Sequence, residues 1–261
     1  MQDESLLNEL LGSEAFRAAG VPATRVTHAR VWLNGRDCGL YVLKESFGPA
    51  FLRRHGADAS GNLYDGGLLQ DLDAELHRES GEGEPDRDDL RAIVEARRDE
   101  DFPRCIERLE ALVDMDALVT FMAVERLIGH WDGYTDSANN YRVYVDPTRH
   151  KALLLPHGMD QVYGDPAARL YEDAAPMLSS AVLRSDRWFG RYRERVRELA
   201  PKVFDVARME GTIDRATRRL APILADMGAD AVARHAASVA DLKRRIHLRA
   251  AFLAHHVNEG R

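Results

Sequence analysis

The chain has 261 residues, 45% hydrophobic and 30% charged, enough to bury a sizeable core as one domain. Its formal net charge of −7 argues against a nucleic-acid-binding protein, which would carry a basic face. No window approaches the roughly 20 apolar residues of a membrane helix, and MQDESLL lacks the basic start and apolar run of a signal peptide.

A first helix is capped by Asp3 or Ser5, carries Leu6, Leu10, Leu11 and Phe16 at helical spacing, and ends at Gly20 before Pro22. Glu9 lies in its first turns. Ala29 to Leu33 and Gly39 to Leu43 form a hairpin across Asn34-Gly35, and Glu45 closes its second strand. The polar, acidic segment 78–89 reads as a loop or mobile insert. Helices are expected at Leu90 to Ala96, at Cys105 to Val113, and over 116–128, which the chain leaves at Gly129.

Beyond Gly129, Tyr141, Val143 and Val145 alternate with Arg142 and Tyr144, predicting a half-buried strand. Asp146-Pro147 then turns the chain into a second strand, Lys151 to Leu155. The Arg- and Glu-rich stretch 186–202 reads as an exposed helix. Val232, Val239, Leu242, Ile246 and Leu253 mark the buried stripe of a terminal helix, with His255-His256 in a frayed tail. Cys38 and Cys105 suggest two buried thiols and no disulfide framework.

The most informative stretch runs from His130 to Gly164. It sets Asp132 on a short polar loop, follows it with Asn139 and Asn140, and ends with Asp160 after the predicted hairpin. Phosphoryl transfer needs a carboxylate near the attacking hydroxyl and oxygen ligands for a metal on the nucleotide phosphates. These residues occur in the chain order that a protein kinase uses, and the hairpin folds residues 140 and 160 toward one another. Read singly, Asp132 caps a turn and the paired Asn are turn formers.

SLLNELLGSEAFRAAGVPA (5–23), ARVWLNGRDCGLYVLKE (29–45), FLRRHGADASGNLY (51–64) and the stretch 130–164 together resemble the CotH kinases, a family named for a spore-coat protein. The resemblance implies an α+β, protein-kinase-like two-lobed fold. Residues 1–46 would be an incomplete small lobe and 47–261 a mostly helical large lobe of one domain. It implies transfer of the γ-phosphoryl group of ATP, with Mg2+ or Mn2+, to a Ser or Thr of a secreted, surface or coat protein. Asp132 would be the catalytic Asp, Asp160 a metal ligand, and Asn140, in preference to Asn139, a second. His130-Trp131-Asp132 echoes the kinase His-Arg-Asp triplet, although six residues rather than four separate Asp132 from Asn139. The hinge that contacts adenine falls at Glu45.

Two departures from the family pattern stand out. Pro156-His157-Gly158-Met159-Asp160 replaces Pro-Trp-Asp-x-Asp, leaving one acidic ligand on this segment. The phosphate-binding lysine is expected on strands upstream of this chain, so Glu9 is the candidate partner of a missing residue. No glycine-rich phosphate loop replaces those strands, since neither GG at 66–67 nor GEG at 81–83 joins two strands. The chain alone is therefore expected to fold poorly at its small lobe and show little activity. Failing an upstream lysine, Lys44 is the first candidate within the chain and Lys151 the second. A catalytically dead binding module and a metal-dependent hydrolase built from Asp132, Asp136, His157 and Asp160 are the alternatives.

Overall fold

The computed structural model describes residues 3–82, 84 and 86–258. In chain order its elements are α1 (Asn8–Ala18), β1 (Val26–Leu33), β2 (Arg36–Lys44), α2 (Pro49–Arg54), β3 (Asn62–Asp65) and β4 (His77–Ser80). Then follow α3 (Asp88–Arg97), α4 (Phe102–Leu112), α5 (Met115–Ile128), α6 (Tyr134–Ser137), β5 (Tyr141–Asp146) and β6 (Lys151–Pro156). Four helices close the chain: α7 (Met177–Arg184), α8 (Asp186–Val203), α9 (Val206–Met227) and α10 (Ala229–His256). The fold is mixed α+β, with a two-stranded and a four-stranded antiparallel sheet among the described residues. No helix among them is long and apolar enough to cross a membrane.

From Leu118 to Ile128, helix α5 is mostly apolar and buried on every side. The Asp114 side chain caps it by accepting from the Ala117 N–H at 3.0 Å. Leu7, Leu10, Leu11 and Phe16 of the first helical segment join α5 in the principal core, where Phe16 and Phe121 pack at 5.3 Å. Thus α1 is built into the main core of the molecule.

The larger sheet runs β4-β3-β5-β6. The β5–β6 hairpin pairs Tyr141 with Pro156 and Asp146 with Lys151, one residue longer than its alternation predicted. The expectation of a half-buried strand needs correction, because β5 is covered on both faces. Tyr141 and Val143 enter the principal core, while Tyr144 joins Phe47, Phe51 and Leu63 in a second cluster. Strand β4 and the start of α3 fall within the segment read as a loop, and Gly83 and Pro85 of that segment, including part of the GEG run, lie outside the described residues.

The β1–β2 ribbon turns through Asn34 and Gly35, both at positive φ. One face is supported from within the chain: Leu40 and Val42 pack with Leu6, Leu220, Leu224 and Ala231. Among the described residues the ribbon has no third strand, yet helices α9 and α10 seat one of its faces. In α10 the buried stripe holds at Val239, Leu242, Ile246 and Leu253, but Val232 is exposed because it lies at the first turn, off the packed face. His255 and His256 are not a frayed tail; they end α10, where the His256 ring stacks on Phe252. Cys105 is buried and Cys38 only partly so, since its strand lies in the thin ribbon.

Candidate functional site

The segment 157–161, which leaves β6, is held against α1. Gly12 permits this approach: a β-carbon there would lie 2.8 Å from the Met159 sulfur. With the backbones so close, the Asn8 side-chain amide donates to the Asp160 carbonyl at 2.8 Å. Glu9 Oε2 accepts from the Met159 N–H at 2.7 Å.

The other oxygen of Glu9 faces Lys44, whose Nζ lies 3.1 Å away. The expectation that Glu9 lacks a lysine is therefore corrected, for β2 delivers one from within the chain. Strand β2 runs antiparallel to β1 and places Lys44 opposite Val26, at the ribbon end where the chain has just left α1. Lys44 Nζ also lies 3.2 Å from His157 Nδ1, so it sits between a carboxylate and an imidazole. It keeps 27% of its side-chain surface, against 6% for Glu9. That exposed part opens on a cleft of about 460 Å³ lined by Phe47, Leu63, Ser80, Arg142 and His157 among others. Lys151 is elsewhere, donating to the Glu110 carbonyl on α4, and cannot serve the same cleft.

Glu45 borders this cleft, but its side chain is committed to ion pairs with Arg54 and Arg25. The Arg54 guanidinium pulls its carboxyl down to about 2. Its backbone N–H donates to the Arg25 carbonyl at 2.9 Å and is not free for a ligand.

Asp132 occupies the short loop between α5 and α6. Buried Glu125, near the end of α5, fixes this loop by accepting from the N–H groups of Tyr134 at 3.0 Å and Thr135 at 2.7 Å. It thereby satisfies donors at the start of α6. The Asp132 carboxylate then receives three amides: Asn139 Nδ2 at 2.9 Å, Asn140 Nδ2 at 2.9 Å and Gln161 Nε2 at 3.4 Å. Asn140 was preferred to Asn139, yet both reach the site. Both do so because Ala138 and Asn140 have φ of 45° and 50°, so the chain is still in a left-handed turn before β5 begins.

The two Asn differ in what remains to them. Asn139 is buried and its oxygen accepts from the Leu69 N–H at 3.3 Å, which occupies both ends of the amide. Asn140 directs its nitrogen at Asp132, so its oxygen faces Gly158. A β-carbon at Gly158, where φ is +57°, would collide with that oxygen. The space freed by this glycine is thus taken by the Asn140 amide. The Asp160 carboxylate, partly exposed, has no hydrogen bond or ion pair among the described residues.

The donors assumed for a hydrolase are not assembled. Asp136 pairs with Arg126 at 2.5 Å, and His157 is engaged by Lys44. No group of three or more His, Cys, Asp or Glu placed to hold a metal occurs among the described residues.

Burial lowers His157 to about 3, helped by Lys44 and Arg142, and lowers His130 to about 4. Both are neutral at pH 7, which lets His157 Nδ1 accept from Lys44. Burial raises the Glu125 carboxyl to about 8 against the pull of its N–H donors. The histidines titrate near 6.5 when unfolded, so the unfolded chain binds more protons below that pH and stability falls as pH drops from about 6.5 toward 4. Glu125 has the opposite sign, its contribution waning as pH rises from about 4.5 toward 8. Denaturant titrations should therefore find His157→Gln less acid-sensitive than wild type. Equal slopes between pH 6.5 and 4 would contradict the burial of a neutral His157.

Asn8, Glu125 and Gln161 were not anticipated as site residues. Glu125 alone left a signal, a charge inside the apolar run ALVTFMAVERLI.

Comparison with known proteins gives a consistent family. The CotH kinase protein family matches residues 1–253. The chain is similar to the protein named invasin CotH2 of Rhizopus delemar, with 25% identity over 188 residues, covering 62% of this chain and 31% of that protein. It is also similar to spore coat protein homolog 1 of the same organism, with 24% identity over 176 residues, covering 62% and 29%. The chain spans about a third of the length of these relatives.

Proposed function

This chain belongs to the CotH kinase protein family, and from that premise we propose that it moves the γ-phosphoryl group of ATP to a Ser or Thr hydroxyl of a protein. The proposal includes a protein-kinase-like two-lobed arrangement within one domain. The observation that carries it is the pair Lys44–Glu9, 3.1 Å apart, opening on a cleft and resting on the segment that bears Asp160. A lysine steered by a helix carboxylate toward nucleotide phosphates is a recurring part of kinase sites. Here it is assembled from one helix and one strand of the chain itself.

Asp132, steered by three amides, orients the acceptor hydroxyl and takes its proton. Transfer of this kind is mostly alignment and charge stabilisation, so the tight hold on Asp132 is the relevant property. The Asn140 oxygen and the unpaired Asp160 carboxylate are hard oxygen donors and suit Mg2+ or Mn2+. The ion, when bound, neutralises charge on the nucleotide phosphates. We propose a coat or surface protein as the acceptor.

Calorimetry tests the nucleotide half of this proposal. ATP should bind the wild-type chain more tightly with Mg2+ or Mn2+ than without, and Asp160→Ala should abolish the difference. Equal ATP affinity in both proteins, with and without metal, would reject the assignment.

A further inference from the structure

The loop between β3 and β4 turns over residues 67–69 and presents two leucines to solvent, Leu68 at 76% exposure and Leu69 at 65%. It is nevertheless a tied loop. The Gly66 N–H donates to the Tyr141 carbonyl at 3.1 Å, and the Tyr141 hydroxyl donates to the Gln70 carbonyl at 2.8 Å. Leu69 has φ of +53°, a left-handed conformation that costs a leucine about 1–2 kcal/mol. Strain of this kind persists where surrounding contacts over-determine it, and it concentrates at binding sites.

The turn is also continuous with Asp132. The Leu69 N–H donates to Asn139 Oδ1 at 3.3 Å, and Asn139 Nδ2 donates to Asp132 Oδ1 at 2.9 Å. One side chain thus separates the exposed leucines from the carboxylate assigned to the acceptor hydroxyl. Trp131, next to Asp132 in sequence, is 51% exposed. Exposed apolar side chains on a rigid turn beside a reactive carboxylate are arranged to take up an apolar neighbour of the reacting residue.

We propose that the 67–69 turn is the lip on which the acceptor polypeptide docks, and that it reads an apolar residue flanking the Ser or Thr. This inference rests on the phosphotransferase reading for the identity of the acceptor. The leucines supply the apolar contact, while the Leu69 backbone N–H keeps Asn139, and through it Asp132, in register with the docked chain. Acceptors with a bulky aliphatic residue close to the hydroxyl should be preferred over those with polar neighbours.

The test uses fluorescein-labelled peptides with a central Ser, each carrying Leu or Ser at one flanking position. Anisotropy measures their binding to the full chain, and phosphate transfer to the same peptides is measured separately. Leu68→Asn/Leu69→Asn is the comparison, because asparagine tolerates the left-handed conformation and retains the backbone N–H at 69. The wild type should bind one leucine-flanked register about tenfold more tightly than the all-Ser peptide. The double substitution should erase that preference. No preference in the wild type, no binding at all, or an unchanged preference in the variant would overturn the lip. Binding with preference but without phosphate transfer would uphold the lip and reject the kinase reading. Transfer without preference would do the reverse. Self-association of the wild type that the variant abolishes would assign the turn to a second copy of the chain and also overturn the proposal.

Discussion

Asp132→Asn is expected to reduce phosphoryl transfer on the order of 100-fold or more while leaving ATP affinity close to that of wild type. The carboxylate is the acceptor for three amide donors, from Asn139, Asn140 and Gln161. An amide at 132 keeps one oxygen, so at least one donor would face another donor. The cost of such a mismatch is about 1–3 kcal/mol, so a lower melting temperature should accompany the lost activity. Measuring transfer well below that melting temperature separates chemistry from folding. Transfer equal to wild type at that temperature would remove Asp132 from its role.

Lys44→Met is expected to weaken ATP binding by at least about 30-fold, the effect of losing roughly 2 kcal/mol of charge-assisted contact. It also strands Glu9, whose side chain is 6% exposed, with only the Met159 N–H as donor. Removing one partner of a fully buried pair costs about 3–5 kcal/mol; the loss here should be nearer 2, because Lys44 retains 27% of its side-chain surface. The combined Lys44→Met/Glu9→Gln protein should regain stability, since the buried charge is gone, but not nucleotide affinity. Recovery of ATP binding in that double variant, read by calorimetry beside a denaturant titration, would show that the pair serves folding alone.

Much of this arrangement was legible because its signals are local. Asp132, Asn139 and Asn140 lie within nine residues, and Asn34-Gly35 and Asp146-Pro147 mark hairpins by their turn chemistry. Helix α5 declares itself through a long apolar run, interrupted only by Glu125-Arg126 and closed at Gly129. Strands β3 and β4 left no such trace. Each has four residues, and His77–Ser80 is polar throughout, so β4 exists through its pairing with β3 rather than through propensity. Helix α9 was not read at all, although Met209, Ile213, Ala216, Leu220 and Leu224 form its buried stripe; Pro222 and a run of arginines obscured it.

The pairing of Glu9 with Lys44 was harder to see because it depends on where the ribbon docks. Nothing between residues 9 and 44 encodes that approach locally. It follows from Leu40 and Val42 packing on α9 and α10, which lie far along the chain. Asn8 and Gln161 are invisible for the same reason: Asn8 becomes a site residue only once Gly12 brings α1 against Met159, and Gln161 only once the segment after β6 lies beside the Asp132 loop.

We propose that this chain carries a phosphotransferase site whose lysine is Lys44. Its most direct test is transfer of label from γ-labelled ATP, with Mg2+ or Mn2+, by the wild-type chain, Lys44→Met and Asp132→Asn to a Ser/Thr-containing coat or surface protein. Metal-dependent labelling on Ser or Thr is expected from the wild type, with a loss on the order of 100-fold in each variant. Absence of labelling by the wild type, or equal labelling by all three proteins, would contradict it.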